Sequence, residues 1–125
     1  MPSSEPLATF ERRPLASAPD GAARAELALK GRVYADVCPQ LRDELTRAVE
    51  AGARELLIDA THLEQIDSAG LNEFVQLLRK LRPQGGKIVF FGLSPSIQRV
   101  FDITKLNRVM GVAASREDAL GGLAS

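Results

Sequence analysis

Two compact apolar runs, Leu56-Leu57-Ile58 and Ile88-Val89-Phe90-Phe91, flank one stretch in which Leu71, Phe74, Val75, Leu77, Leu78 and Leu81 recur at helical spacing. Runs this short and apolar read as buried strands, and the stretch between them as a helix. A helix joining two such strands implies a parallel crossover. The same alternation extends both ways along the chain. Upstream, Ala25, Leu27 and Leu29 alternate with Arg24, Glu26 and Lys30, the period of a half-buried strand, and Val37, Leu41, Leu45 and Val49 form one apolar helical stripe. Downstream, Ser94-Pro95 opens a short helix with Ile97, Val100 and Phe101 on one face. Val109–Val112 reads as a last short strand, and Ser115-Arg116-Glu117-Asp118 as a capping box before Ala119, Leu120 and Leu123. Leu7–Leu15 carries a weaker strand signal, folded onto the Ala25–Leu29 strand as a hairpin through Pro19-Asp20-Gly21. Strands alternating with helices in this order define an α/β fold with helices laid on a sheet.

The punctuation supports these elements. Asp36 is the expected N-cap of the first helix, with Pro39 in its first turn and Ala51-Gly52 at its end. The next strand is expected over Arg54–Asp59, and Pro83 with Gly85-Gly86 stops the following helix. The chain has 125 residues, enough for one domain, expected over residues 7–123 behind a flexible Pro/Ser-rich N-terminus at residues 1–6. Sixteen Lys+Arg balance sixteen Asp+Glu, which argues against a dedicated nucleic-acid binder. One cysteine and one histidine make neither an internal disulfide nor a good metal site, so no cofactor is expected. No apolar run approaches the ~20 residues of a membrane span, and MPSSEPLATF lacks the features of a signal peptide. A cytoplasmic protein with no direct membrane insertion is the expectation.

Catalytic chemistry finds little footing. His62 has no second histidine beside it, and no Gly-x-Ser-x-Gly elbow surrounds Ser68. Cys38, before a proline, reads as a small half-buried residue. Gly85-Gly86 lacks the Lys-Ser/Thr of a phosphate loop, and Arg79, Lys80, Arg82 and Lys87 read as a solvated basic face. The informative segment is Ile66-Asp67-Ser68-Ala69-Gly70-Leu71-Asn72, set between a buried strand and an apolar helix. Ser68 there is a candidate N-cap. The positive end of a helix dipole also favours an anion, so the fold would tolerate a phosphoryl group on Ser68. That group adds about −1.5 to −2 charge beside Asp67, enough to repel an acidic or apolar partner patch.

The stretch Leu56–Leu71, with Asp59 at the strand end and Asp67-Ser68-Ala69-Gly70-Leu71 at the helix start, resembles the STAS domain of bacterial anti-sigma factor antagonists. The likeness continues through Gly85-Gly86-Lys87-Ile88-Val89, Leu93-Ser94-Pro95 and Arg99-Val100-Phe101-Asp102-Ile103-Thr104, followed by Leu106-Asn107. Upstream, Leu27-Ala28-Leu29-Lys30-Gly31-Arg32-Val33 matches the family's strand ending in Gly-x-aliphatic. The resemblance implies a mixed, mostly parallel sheet of four to five strands with about four helices. It implies binding rather than catalysis. The unphosphorylated antagonist binds an anti-sigma factor that is also a serine kinase, phosphorylation of the serine after Asp67 releases it, and a serine phosphatase restores binding. On this chain that serine is Ser68, and Gly70 lets the first helical turn pack closely. The partner surface is expected at Asp67, Ser68, Ala69 and Gly70, with Tyr34, Ala35 and Asp36 on one side and Ser94, Pro95 and Ser96 on the other. Its warrant is geometric: loops leaving the carboxyl ends of parallel strands gather at one edge of the sheet.

Three positions depart from the family's pattern. Tyr34 stands where an acidic residue is frequent, Gln65 where an aromatic or aliphatic one is, and Thr104-Lys105-Leu106 replaces the usual Thr-Gly-Leu. Two other functions compete with the antagonist. One is a STAS subunit docked on the cytoplasmic machinery of a membrane lipid or solute transporter. The other is a small hydrolase built on Ser68 and His62, with Asp59 or Asp67 as orienting acid.

Overall fold

Strand order in the sheet follows chain order, and this governs how the molecule is layered. The computed structural model describes residues 8–19 and 21–124. The expected flexible stretch 1–6, Leu7 and Asp20 of the expected turn lie outside these. The elements are β1 (Ala8–Arg13), β2 (Arg24–Val33), α1 (Cys38–Glu50), β3 (Glu55–Ile66), α2 (Ser68–Leu81), β4 (Lys87–Phe91), α3 (Pro95–Thr104), β5 (Gly111–Ala113) and α4 (Arg116–Ala124). The sheet runs β1-β2-β3-β4-β5; β1 is antiparallel to β2 and every other pair is parallel. The expected hairpin and the mixed, mostly parallel sheet with four helices are both present. Each crossover steps to the next strand in the same direction, so crossovers of one hand place α1, α2 and α3 on one face.

That face holds the main core. Leu27 and Leu29 of β2, Leu56 and Ile58 of β3, and Ile88 and Phe90 of β4 meet Leu41 and Leu45 of α1, Phe74 and Leu78 of α2, and Ile97 and Phe101 of α3. Phe90 stands between two rings edge-on, Phe74 at 4.9 Å and Phe101 at 5.1 Å between centroids. Such pairs are worth about 0.5–1.5 kcal/mol each beyond the area they bury. The opposite face carries a smaller cluster, Leu57, Val89 and Phe91 under Ala119 and Leu123 of α4. The two-sided burial of β3 and β4 accounts for their unbroken apolar runs.

Three boundaries differ from the sequence expectation. The strand expected to end at Asp59 continues to Ile66, because β3 keeps pairing with β2 as far as Val33↔Ile66 after β4 has stopped at the Asp59↔Phe91 pair. Asp36 does not cap α1: it lies in a 3-10 turn over Ala35–Val37, and Val37 occupies the cap position with no side-chain bond. The last strand is Gly111–Ala113 rather than Val109–Val112, and Val109 is 40% exposed. Glu26, read as a solvent-side residue, is only 2% exposed. Its carboxylate accepts from Arg116 Nη2 of α4 at 2.7 Å, and Arg13 Nη1 of β1 lies 3.4 Å from it.

Candidate functional site

Beyond the end of β4, β2 and β3 run on together as a ribbon that β1 borders on the β2 side as far as Gly31. Its register shifts twice, between Ala28 and Lys30 and between Gly31 and Arg32, so β3 carries two extra residues over this stretch. Bulges of this kind twist and re-aim a strand. The ribbon ends where Val33 leads into the 3-10 turn and Ile66 leads into Asp67 and α2.

At this tip Asp67, not Ser68, caps α2. Asp67 has extended backbone (φ −93°, ψ −179°), and its Oδ1 accepts from Gly70 N–H at 2.9 Å. Ser68 is therefore the first residue of the helix. Two good capping residues stand side by side in the sequence, and only the carboxylate is used. The Ser68 side chain is exposed and its hydroxyl makes no hydrogen bond among the described residues. Gly70 is buried against the ribbon. A Cβ on it would lie 2.8 Å from Ile66 Cγ1, 3.0 Å from Val33 Cγ1 and 3.1 Å from Val33 O. The expected close packing at the first turn is there, and the tight neighbours include backbone.

The Tyr34–Asp36 segment joins this turn directly. Asp67 Oδ2 accepts from Ala35 N–H at 3.0 Å, and Asp67 N–H donates to Val33 O at 3.1 Å. The Tyr34 hydroxyl donates to Gln65 Oε1, so two of the positions that depart from the family's pattern contact each other. Behind them, Arg42 of α1 grips Glu73 of α2 through two bonds of 3.0 and 2.6 Å, fixing one helix start against the other. Cys38 is buried here, its thiol 3.5 Å from Tyr34 O. Burial pushes that thiol up, and the Glu73 and Asp67 carboxylates push it further, which disfavours a thiolate.

Ser94, Pro95 and Ser96 are placed differently. Ser94 caps α3, its Oγ accepting from Ile97 N–H at 3.3 Å. It follows β4, whose last partner Asp59 lies seven residues upstream of Ile66 along β3. No hydrogen bond links this segment to the Ser68 turn among the described residues. His62 is exposed on the ribbon opposite Lys30, with no hydrogen bond to Ser68. The candidate orienting acids are occupied as well. Asp59 binds Arg13 and Thr61, and Asp67 binds two backbone amides. No cluster of three or more His, Cys, Asp or Glu able to hold a metal occurs among the described residues, and no helix there is long and apolar enough to cross a membrane.

Fold and site together define a small α/β domain in which sheet order follows chain order and an exposed serine opens α2 at the sheet's far edge. The chain belongs to the STAS domain family, which its residues 17–119 match. Relatives that it matches are named as anti-sigma factor antagonists. BtrV of Bordetella bronchiseptica, a candidate anti-sigma factor antagonist, is 35% identical over 91 residues, 73% of this chain and 78% of the relative. The anti-sigma-B factor antagonist of Bacillus subtilis is 33% identical over 89 residues, 71% of this chain and 81% of the relative. In fold, the chain is similar to an anti-sigma factor antagonist from Mycobacterium paratuberculosis, with a TM-score of 0.81 at 19% identity over 94% of this chain and 95% of that one. It is also similar to the Bacillus cell fate determinant SpoIIAA in its phosphorylated form, with a TM-score of 0.68 at 19% identity over 91% and 98% of the two chains.

Proposed function

We propose that the protein is a phospho-regulated anti-sigma factor antagonist of the cytoplasm. It binds an anti-sigma factor that is also a serine kinase while Ser68 is unmodified, releases it when Ser68 is phosphorylated, and is reset by a serine phosphatase. The observation that carries this reading is the Ser68 hydroxyl, exposed and unbonded at the first position of α2 while Asp67 holds the cap. A kinase can take this serine without breaking a structural bond. The relatives named as anti-sigma factor antagonists supply the class of partner.

The partner surface in this reading centres on Asp67–Gly70 and on Tyr34, Ala35 and Asp36, which share the ribbon tip. Ser94, Pro95 and Ser96 belong to it as an outer margin, since they leave the sheet at the end of β4. Phosphorylation acts by charge and bulk at a helix start that accommodates an anion. The test is affinity for the cognate kinase together with mapping of the phosphate. Ser68→Ala should bind the kinase as the native chain does and take no phosphate, and Ser68→Asp should bind less well. Phosphate found at Ser94, Ser96 or Ser115 instead, or undiminished kinase binding by the phosphorylated chain, would overturn the proposal.

A further inference from the structure

A helix cap needs one acceptor oxygen, yet both oxygens of Asp67 are occupied. Oδ1 takes the Gly70 N–H of α2, and Oδ2 takes the Ala35 N–H of the segment leaving β2. The carboxylate is thus committed inside the chain, as a positioning group between two segments far apart in sequence. We infer that Asp67 couples the Ser68 turn to the Tyr34–Asp36 segment, so that a phosphoryl group on Ser68 is felt at the Ala35 amide. This rests on reading Ser68 as the phosphoacceptor.

The coupling follows from geometry and charge. The first turn of α2 presents amides that no helical carbonyl satisfies. Asp67 already takes one of them, the Gly70 N–H, through its side chain, while its carbonyl accepts the first intrahelical bond from Leu71 N–H at 3.0 Å. A phosphoryl group on the adjacent residue brings three strong acceptor oxygens and nearly two negative charges to the same turn. It repels the Asp67 carboxylate and competes with it for amide hydrogens. One side-chain torsion moves both carboxylate oxygens together, so a shift at Gly70 is also a shift at Ala35. Tyr34, bonded to Gln65, stands next to Ala35 and moves with it. The modification therefore changes the shape of the neighbouring loop as well as the charge at Ser68.

The test uses phosphoserine inserted at position 68 during translation, which needs no kinase, with NMR of the Ala35 amide as readout. In the native background, phosphoserine should raise Ala35 hydrogen exchange about tenfold, the effect of losing one hydrogen bond. Asp67→Ser keeps a good cap for Gly70, but its single shorter arm does not bridge to Ala35. In that variant Ala35 should exchange fast at the outset, with no further increase from phosphoserine. Asp67→Asn, equal in size but with a single acceptor oxygen, should likewise raise Ala35 exchange and serves if the serine variant folds poorly. Ala35 exchange unchanged by phosphoserine in the native background, or increased equally in the Asp67 variants, would overturn the coupling. A phosphoserine protein that shows the Ala35 response but still binds the kinase fully would instead sink the antagonist reading and leave the coupling intact.

Discussion

Lys105 is the single non-glycine residue among those described whose φ, at 62°, falls in the left-handed region. It ends α3 where a left-handed residue closes the helix, with its N–H donating to Asp102 O at 3.2 Å. A side chain there is strained, so Lys105→Gly should stabilise the domain by about 1 kcal/mol, read as a higher urea midpoint at unchanged slope. A lower midpoint would mean that the lysine makes compensating contacts. Gly70→Ala presents the opposite case. Its Cβ would press on Ile66 and on the backbone of Val33, and the variant should lose roughly 1–3 kcal/mol in the same measurement. Ser68→Ala should stay within about 0.5 kcal/mol of the native chain, since the cap belongs to Asp67. Residue chemistry explains which of these features were readable in the sequence. Ser68 stood out because a helix-start serine follows a buried strand. The cap itself was misplaced because Asp and Ser cap about equally well, and only the backbone angles at position 67 choose between them. Asp36 failed as a cap for a related reason. A 3-10 turn intervenes, and the amide that begins it is satisfied from across the ribbon by Asp67.

Among elements, β3 departs most from its sequence pattern. Residues 55–60 are buried without interruption, whereas Thr61-His62-Leu63-Glu64-Gln65-Ile66 show neither a run nor an alternation. Two register shifts spoil the period-two signal, and this stretch has strand partners on one side alone. Periodicity detects a strand by its buried face and misses a projecting ribbon. The helices and the short apolar strands were legible because a whole face of each enters one core. The β3 arrangement sets an expectation for hydrogen exchange. Amides in residues 62–66 should exchange well before those in 55–59, because opening the ribbon tip disturbs one ladder rather than two. Equal protection along β3 would show that the tip opens only with the whole sheet.

At the scale of the molecule, the second sheet face is pinned by charge. Arg13 of β1 reaches Asp59 Oδ2 at 2.9 Å and shares Glu26 with Arg116 of α4, so the first strand and the last helix meet on the Glu26 carboxylate. Burial pushes the Asp59 carboxyl up, but the Thr61 hydroxyl and amide and the Arg13 guanidinium outweigh it and hold it below the ordinary value. A carboxyl held low in the folded state stabilises the fold above the unfolded pKa of about 3.9, and loses that contribution as pH falls through its folded value. Stability should therefore decline below about pH 4. Asp59→Asn should be less stable at neutral pH and decline less steeply in acid; a variant with an equally steep acid limb would assign the effect elsewhere. The same latch has a consequence for biosynthesis. Each strand is laid beside the one made before it, so the sheet can assemble in the order in which the ribosome delivers it. The exception is the Glu26–Arg116 bond, which spans 90 residues. At ~5–20 residues per second that interval lasts on the order of 5–20 s. In its last part, once Phe91 has been made, the nascent chain shows Leu57, Val89 and Phe91 uncovered, an apolar patch on which a chaperone can act until α4 arrives to close it.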